Sequence, residues 1–549
     1  MSEAQALVFK FAAEDWEFEA IHRLNYQTFA EEIPQHQRSP THRLVDKFHA
    51  ENTYLICLSG RQLVGMLAVR GHRPFSLDQK LANLDSYLPA GRRVCEIRLL
   101  AIEKKFRGAR GGQVLSGILA LLWQHGVERG YDLAIISGTT RQLKLYQHLG
   151  FVPFGPLVGS GEAQFQPMSV TLETFEVTAR EFLRNSPARS FHPSAANFLP
   201  GPVAVRREVR RAFEQAPESH RAEIFLADFQ AARRALCDLV RARHVQILVG
   251  SGTLANDVVA AQLSLERRPG LVLSNGEFCS RLVDQAQRAR LEFGAHEVAW
   301  GEAFDLDEVR ALLKRNPEIG WLWTTHCETS TGVLNDLDGL KALAAEFHLK
   351  LCLDCISSIG AVPVDLTGVF LATCSSGKGL RAYPGLSMVF HHHEPPLAPD
   401  RLPRYLDLGC YAAQNGVPFT FSSNLLHALH AAVKHVDWER RFADLTELGC
   451  ELRRRLREAG FTVLADDMPT SPVVVTVVLP PELNSVAIGN RMQESGFLLS
   501  FNSVYLRERN WIQVCLLGEC ARDKMVSLVN ILARACFKPQ PAAAPAGKV

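Results

Sequence analysis

No apolar run in this chain approaches the roughly 20 residues that a helix needs to cross a bilayer, which excludes a helical membrane protein. Neither sign of charge is in excess. Sixty Lys and Arg stand against 58 Asp and Glu, for a net charge of +2 at pH 7. So close a balance excludes the broad positive field that gathers nucleic acid or anionic membrane. The opening residues Met1-Ser2-Glu3-Ala4-Gln5 lack the basic-then-apolar order of a secretory signal. Metal-ligand spacing is missing too. The thirteen cysteines are scattered, and the one C-x-x-C, Cys352 to Cys355, falls where a strand is expected and its side chains would face different ways. We therefore expect core packing there, no metal site, and a reducing, cytoplasmic setting. Internal repeats are also missing.

What is present is a long globular chain. At 549 residues and 47% hydrophobic content, two or three domains are expected. Two breaks divide it. Arg184-Asn185-Ser186-Pro187-Ala188-Arg189-Ser190-Phe191-His192-Pro193 reads as a polar linker, and Pro539 to Val549 as a disordered Ala/Pro tail. Between them strands and helices alternate, the pattern of α/β domains. In the first segment, Thr53 to Leu58 and Leu63 to Val69 predict a hairpin around Ser59-Gly60-Arg61-Gln62. Cys95 to Ile102 predicts a strand, Gln113 to Arg129 a helix and Leu133 to Ser137 a further strand. In the second, a helix is expected from Ala222 to Arg241 and a strand from His244 to Val249. Further strands are expected at Leu271, Trp321, Lys350 and Met388, in a mostly parallel sheet.

The residue richest in chemical meaning is Lys378, in Cys374-Ser375-Ser376-Gly377-Lys378-Gly379-Leu380. It follows an apolar strand that ends in a carboxylate, Leu351-Cys352-Leu353-Asp354. A lysine held out of water loses its proton near neutral pH and attacks carbonyls. That is Schiff-base chemistry, for which pyridoxal phosphate is the obvious carbonyl.

Two motifs carry the first segment. Lys104-Lys105-Phe106-Arg107-Gly108-Ala109-Arg110-Gly111-Gly112-Gln113 runs from a strand into a helix start, where N–H groups and the helix dipole favour an anion. Leu145-Tyr146-Gln147-His148-Leu149-Gly150-Phe151 follows a later strand. Together they resemble the GNAT acyltransferase superfamily over roughly residues 5 to 175. The resemblance implies a diphosphate loop at Arg107, Gly108, Gly111 and Gly112, though Arg110 replaces an inner glycine, so that an acyl carrier protein could stand in for coenzyme A. It implies that Tyr146 protonates the leaving thiolate. The stretch Tyr26 to Phe48 and Glu96-x-Arg98 look more like the long-chain branch, which includes acyl-homoserine-lactone and N-acyl amino acid synthases.

In the second segment Leu248-Val249-Gly250-Ser251-Gly252-Thr253-Leu254-Ala255-Asn256, Asn275-Gly276-Glu277-Phe278, Thr325-His326-Cys327-Glu328-Thr329-Ser330-Thr331-Gly332, Asp354-Cys355-Ile356-Ser357-Ser358 and Lys378 follow one another. This order resembles the class V, fold type I aminotransferases that use pyridoxal phosphate, over about residues 195 to 535. Alanine–glyoxylate and 2-aminoethylphosphonate–pyruvate aminotransferases look nearest. The resemblance implies that Lys378 forms the Schiff base and moves a proton, and that Asp354 pairs with the pyridine nitrogen. Phe278 and Ile356 would cover the two ring faces. Ser251, Gly252 and Thr253 would hold the phosphate, and Thr329 would reach the phenolic oxygen. Thr420 would serve the neighbouring subunit's phosphate, so a homodimer is implied. Cys279 and Cys327 read as packing residues.

Two departures bear on the substrate. Gly377 stands where relatives often carry an amide that binds phosphate. Gln513, in Trp511-Ile512-Gln513-Val514-Cys515, stands where relatives carry an arginine for the substrate carboxylate, and an amide cannot replace that fork. Arg381 or Arg507 would have to serve instead, or the substrate is not an ordinary α-amino acid.

The expected architecture is α/β throughout. A GNAT-like mixed-sheet domain (1–177) and a linker (178–195) precede a fold type I transferase. That transferase has a large parallel-sheet domain (196–430) and a small α+β domain (431–537), before the tail (538–549). The expected function is bifunctional, with transamination of a small amino compound by one half and N-acylation from an acyl-CoA or acyl carrier protein thioester by the other. A class V lyase or desulfurase, or an N-terminal half that only binds the thioester as a sensor, are the alternatives.

Overall fold

Strand-forming residues dominate Thr53–Ser59 and Gln62–Arg70, and Gly60 supplies the left-handed φ of +61° that turns one into the other. The hairpin expected from sequence is therefore present, each arm slightly longer. The computed structural model describes residues 7–33, 37–107, 111–159, 164–179, 196–466 and 469–537. Most of the expected linker, from residue 180, the whole expected tail and the loop residues 108–110 lie outside the described residues.

The chain divides into two compact units. The first comprises Met1–Ala196 with the segments Gln493–Phe497 and Ala521–Ile531, and the second the rest. In the first, a seven-stranded sheet runs in the order Leu7–Phe11, Thr53–Ser59, Gln62–Arg70, Val94–Ile102, Leu133–Thr139, Phe165–Thr171, Val152–Pro153. All neighbours are antiparallel except Val94–Ile102 and Leu133–Thr139. The helix Gly111–Arg129 follows Val94–Ile102 and buries Val114, Ile118, Leu119 and Leu122 against this sheet.

The second unit is built on another seven-stranded sheet, ordered Phe293–Glu297, Gly270–Ser274, Trp321–Thr325, Lys350–Asp354, Leu371–Ser375, Leu386–His391, His244–Val249. The first five are mutually parallel, and Leu386–His391 runs antiparallel to both its neighbours. Crossover helices cover the parallel part. One long helix, Glu223–Val240, shows why: Phe225, Phe229, Ala232, Leu236 and Val240 recur every three or four residues and are all buried. Each large apolar side chain removed from water there contributes about 1.5–3 kcal/mol. The helix stops where Arg241 turns left-handed, at φ +55°.

Two strands were not expected, Phe293–Glu297 and Leu371–Ser375. The first is a half-exposed edge strand and the second mixes Ala, Thr, Cys and Ser, so neither shows a strong apolar signal. A three-stranded antiparallel sheet, Thr462–Val463, Val474–Val478 and Trp511–Cys515, lies later in this unit. Among the described residues no helix is long and apolar enough to cross a membrane. Among them, too, no group of three His, Cys, Asp or Glu side chains could hold a metal ion.

Candidate active site

In a parallel sheet the crevice beyond the carboxyl ends of the strands is where ligands bind. Lys350–Asp354 ends there on Asp354, and Leu371–Ser375 runs out into the turn that carries Lys378. Beyond His244–Val249, Gly250 leads to Ser251 at the start of the helix Gly252–Leu263. Three chain segments thus deliver a carboxylate, an amine and a helix N-terminus to one edge.

Lys378 is partly buried, and its Nζ donates to Ser357 Oγ at 3.0 Å. Ser357 Oγ lies 2.5 Å from Thr329 Oγ1, so amine and two hydroxyls form one chain. The ring of Phe278 has its centroid 5.5 Å from the same nitrogen. Burial lowers the Lys378 pKa from its usual 10.5, and the Asp354 charge only partly opposes this. The amine is therefore biased toward the neutral, nucleophilic form.

Asp354 is buried. Its Oδ2 accepts from Asn256 Nδ2 at 2.8 Å and its Oδ1 from the Ile356 N–H at 2.9 Å. Asn256 in turn accepts from Thr373 Oγ1 at 2.8 Å. Burial raises the Asp354 pKa, against the hydrogen bond from Asn256. A cationic ring nitrogen beside this carboxylate would hold it ionised.

Gly252 packs directly under Ile356. A Cβ on Gly252 would stand 2.5 Å from Ile356 Cδ1, so only glycine lets the helix start come this close. Ser251 and Thr253 are exposed at that helix start. The turn of Lys378 is clamped in a similar way. A Cβ on Gly379 would lie 2.3 Å from the Ile359 carbonyl oxygen, and one on Gly360 would lie 2.7 Å from Gly379 C. Arg441 Nε donates to Gly360 O at 3.0 Å and its Nη2 to Leu517 O at 3.0 Å.

Two residues proposed for substrate are engaged with the protein itself. Gln513 is fully buried. Its Nε2 donates to Thr329 O (2.7 Å), Ser330 O (3.0 Å) and Thr476 Oγ1 (2.9 Å), while its Oε1 accepts from Tyr505 OH at 3.1 Å. That amide offers no further donor, and it braces the turn of Thr329. Arg381 pairs with Glu519, and Arg206 Nε lies 3.8 Å from the same carboxylate. Thr420 is exposed, ahead of the helix Ser423–Val433. Cys279 and Cys327 are buried, and burial pushes both thiols up to about 12, far from a reactive thiolate.

Reading the sequence left three participants without a role. Ser357 and Asn256 sit inside motifs but gain partners only through folding. Glu328 is fully buried. Its carboxylate accepts from the Cys279 N–H (2.9 Å), the Phe278 N–H (3.3 Å), the Ser330 N–H (2.9 Å) and Ser330 Oγ (2.6 Å). It thereby satisfies the first turn of the helix Glu277–Arg288 and fixes the backbone of Phe278.

Residues 211–396 match the family model for aminotransferase class V. The soluble hydrogenase 42 kDa subunit of Anabaena cylindrica is 33% identical over 303 residues, covering 51% of this chain and 78% of that protein. The chain belongs to the class V aminotransferase family. A bifunctional phosphonoacetaldehyde hydrolase/aminoethylphosphonate transaminase of Clostridioides difficile (strain 630) is 25% identical over 322 residues. That match takes in 55% of this chain, which spans half the length of that relative. The solved alanine–glyoxylate aminotransferase from Nostoc sp. superposes with a TM-score of 0.58 at 26% identity, covering 64% of this chain and 98% of that one. The class V aminotransferase fold supports pyridoxal phosphate as cofactor. The residues fit it: a neutral-leaning amine, a buried carboxylate, an aromatic face and a glycine cradle at a helix N-terminus share one crevice.

Ahead of this class V portion, residues 20–168 match the model for N-acyl amino acid synthase FeeM. The first unit holds a cavity of about 570 Å³, in whose wall Tyr146 stands with Glu96, Arg98 and Thr139. Leu119, Leu122, Phe151 and Phe175 line it with apolar surface. The Tyr146 ring packs edge-on to Phe151 at 6.4 Å, and burial raises its phenol pKa against the hydrogen bond to Thr139. Glu96 is fully buried and accepts from the Ser76 N–H at 2.8 Å and from Arg98 Nη1 at 3.4 Å.

At the expected diphosphate loop, Arg107 Nη1 donates to Glu32 Oε2 at 2.6 Å and Nε to Ile102 O at 2.6 Å. Its guanidinium is thus turned toward the protein. Gly108 lies outside the described residues. Gly111 and Gly112 begin the helix Gly111–Arg129, and Gly111 lies against Phe106 O.

Proposed function

We propose that this chain is a bifunctional transferase. Its class V portion would exchange an amino group between a small amine donor and a keto acceptor, and its N-terminal portion would acylate an amine from a thioester. We read 1–177 and 196–537 as the two catalytic portions, the latter with a large part to residue 430 and a small part beyond, and 178–195 as the linker. The observation that carries the first activity is the chain Lys378 Nζ–Ser357 Oγ–Thr329 Oγ1 beside the Asp354–Asn256 pair.

When bound, pyridoxal phosphate supplies a carbonyl for the amino group and a ring that withdraws electrons. The chain's own residues do the rest. Lys378, unprotonated, is the nucleophile and then carries the proton between carbon atoms. Ser357 and Thr329 orient its nitrogen. Asp354, held by Asn256 and the Ile356 N–H, keeps positive charge at the far end of the crevice. The Gly252 cradle, with Ser251 and Thr253, takes the phosphate, and Phe278 and Ile356 cover the two faces. Thr420 reaching a second copy supports a homodimer. Arg381 is already paired with Glu519, which supports a substrate whose carboxylate is held otherwise or is missing.

The observation that carries the second activity is the cavity that joins Tyr146 to an apolar interior. There the amine nitrogen attacks the thioester carbon and the C–N bond forms. The C–S bond breaks with its electron pair going to sulfur, which takes the Tyr146 proton, while the nitrogen gives its surplus proton to water. Coenzyme A or an acyl carrier protein would present the thioester. In the test, purified chain is assayed for both activities with Lys378→Ala and Tyr146→Phe. Each variant is expected to lose one activity and keep the other. Loss of both in either variant would refute two independent sites. The desulfurase alternative is disfavoured by the buried, high-pKa thiols of Cys327 and Cys515 near Lys378, and sulfide release from cysteine would revive it.

A further inference from the structure

The wall of the N-terminal cavity contains polar atoms with no partner. Asn25 is fully buried and lies in that wall, and neither its Oδ1 nor its Nδ2 has a hydrogen-bond partner. Arg98 lies in the same wall. Its Nη2 donates to Asp46 Oδ2 at 2.7 Å and its Nη1 to Glu96, but its buried Nε has no acceptor.

The backbone beside Asn25 is unusual. The helix Asp15–Tyr26 passes straight into a π-helical turn, Gln27–Glu32, closed by the Ile33 N–H donating to Thr28 O at 2.9 Å. Such turns are rare and gather at functional sites, because the extra residue re-aims the side chains beside it. Thr28 Oγ1, on that turn, is also buried without a partner. A protein seldom keeps a buried amide unsatisfied, since both of its polar atoms have given up water for nothing. The expectation is that something outside the protein completes them.

The free groups have a definite complement. Asn25 offers a donor and an acceptor on one carbon, and Arg98 offers one more donor. The matching ligand carries a carbonyl oxygen and an N–H on adjacent atoms, with an anionic oxygen beyond. An acyl group joined to the nitrogen of an amino acid has this pattern, and the apolar wall accommodates its chain.

We propose that Asn25 is the specificity-determining residue of the acyltransferase unit. It binds the carbonyl and nitrogen being joined, while Arg98 Nε takes the carboxylate of the accepting amino acid. This rests on the acyl-transfer reading above and names its acceptor class. Asp46 and Glu96 flank the guanidinium and hold it in place, and they disfavour an acceptor with a second carboxylate.

The test is equilibrium binding to the full-length chain with three probes: N-dodecanoylglycine, N-methyldodecanamide and dodecan-1-ol. Wild type is expected to bind them in that order of decreasing affinity. Asn25→Leu is expected to weaken both amides about tenfold or more and to leave the alcohol within about twofold. Its ligand-free unfolding midpoint should be unchanged or higher, because the unsatisfied amide is gone. Should the leucine variant fail to fold, Asn25→Ala is measured in its place, with the same binding pattern expected. An unchanged probe ranking in the folded variant overturns the assignment while leaving acyl transfer standing. Failure of wild type to bind any probe overturns the acyl-transfer reading, and the assignment with it.

Discussion

The two units treat their buried polar groups differently. Around Lys378 nearly every one has a partner. The amine meets Ser357, Asp354 meets Asn256, Glu328 accepts from four donors, and Gln513 uses its whole amide on Thr329, Ser330, Thr476 and Tyr505. His326 Nδ1 and Arg381 Nε are the exceptions there. Around the N-terminal cavity Asn25, Thr28 and Arg98 each keep an unpaired atom. A crevice built for a cofactor that stays can be finished in advance. A cavity whose ligands come and go leaves part of its hydrogen bonding to them.

The sharpest way to break that comparison is to remove the amine. Lys378→Ala is expected to lower transamination by at least about 10³-fold and to abolish the visible absorbance of the bound cofactor. N-acylation by the same preparation should be untouched. Tyr146→Phe should do the reverse, with a loss of about 10²-fold or more in acyl transfer at unchanged transamination, measured by product formation under saturating donor.

Interlocking itself can be tested through stability. Gln513→Ala leaves three buried acceptors without their donor and should cost about 2–4 kcal/mol in denaturant unfolding. Arg107→Ala, by contrast, deletes an exposed pair with Glu32 and should cost less than about 1 kcal/mol. If the two losses are equal, the crevice is no more interlocked than the surface. The smallest expected signal is a pH slope. The folded cofactor-free protein holds Lys378 below 10.5, while the unfolded chain binds that proton up to its ordinary value. Stability should therefore rise with pH between the depressed value and 10.5, and Lys378→Met should flatten that rise.

Much of this was legible in the sequence, and the reason differs by residue. Lys378, Asp354 and the Gly252 turn belong to short motifs whose spacing is local, so their order along the chain sufficed. The hairpin at Gly60 and the helix Glu223–Val240 were legible through turn chemistry and apolar period. Ser357 and Asn256 were not, because a serine or an asparagine acquires meaning only from what the fold sets 3 Å away. Asn25 carries no motif at all. Its one sequence cue is a polar residue among Ile21, Leu24 and Tyr26 on the buried side of a helix, and such residues more often find a partner than lack one. Gln513 was legible as a departure but not as a brace, since its four partners come from three separate segments.

The facing glycines beside Lys378 bear on how this protein can change over generations. Gly360 and Gly379 each occupy the volume that a side chain on the other would need. No single step at either position is open, and a change at one does not make room for a change at the other. In a saturation library selected for transamination, both columns should be empty of every other residue, while exposed neighbours such as Thr367 tolerate many. Lineages that keep the amine inherit this pair unaltered, and novelty in what the enzyme accepts has to arise elsewhere on the chain.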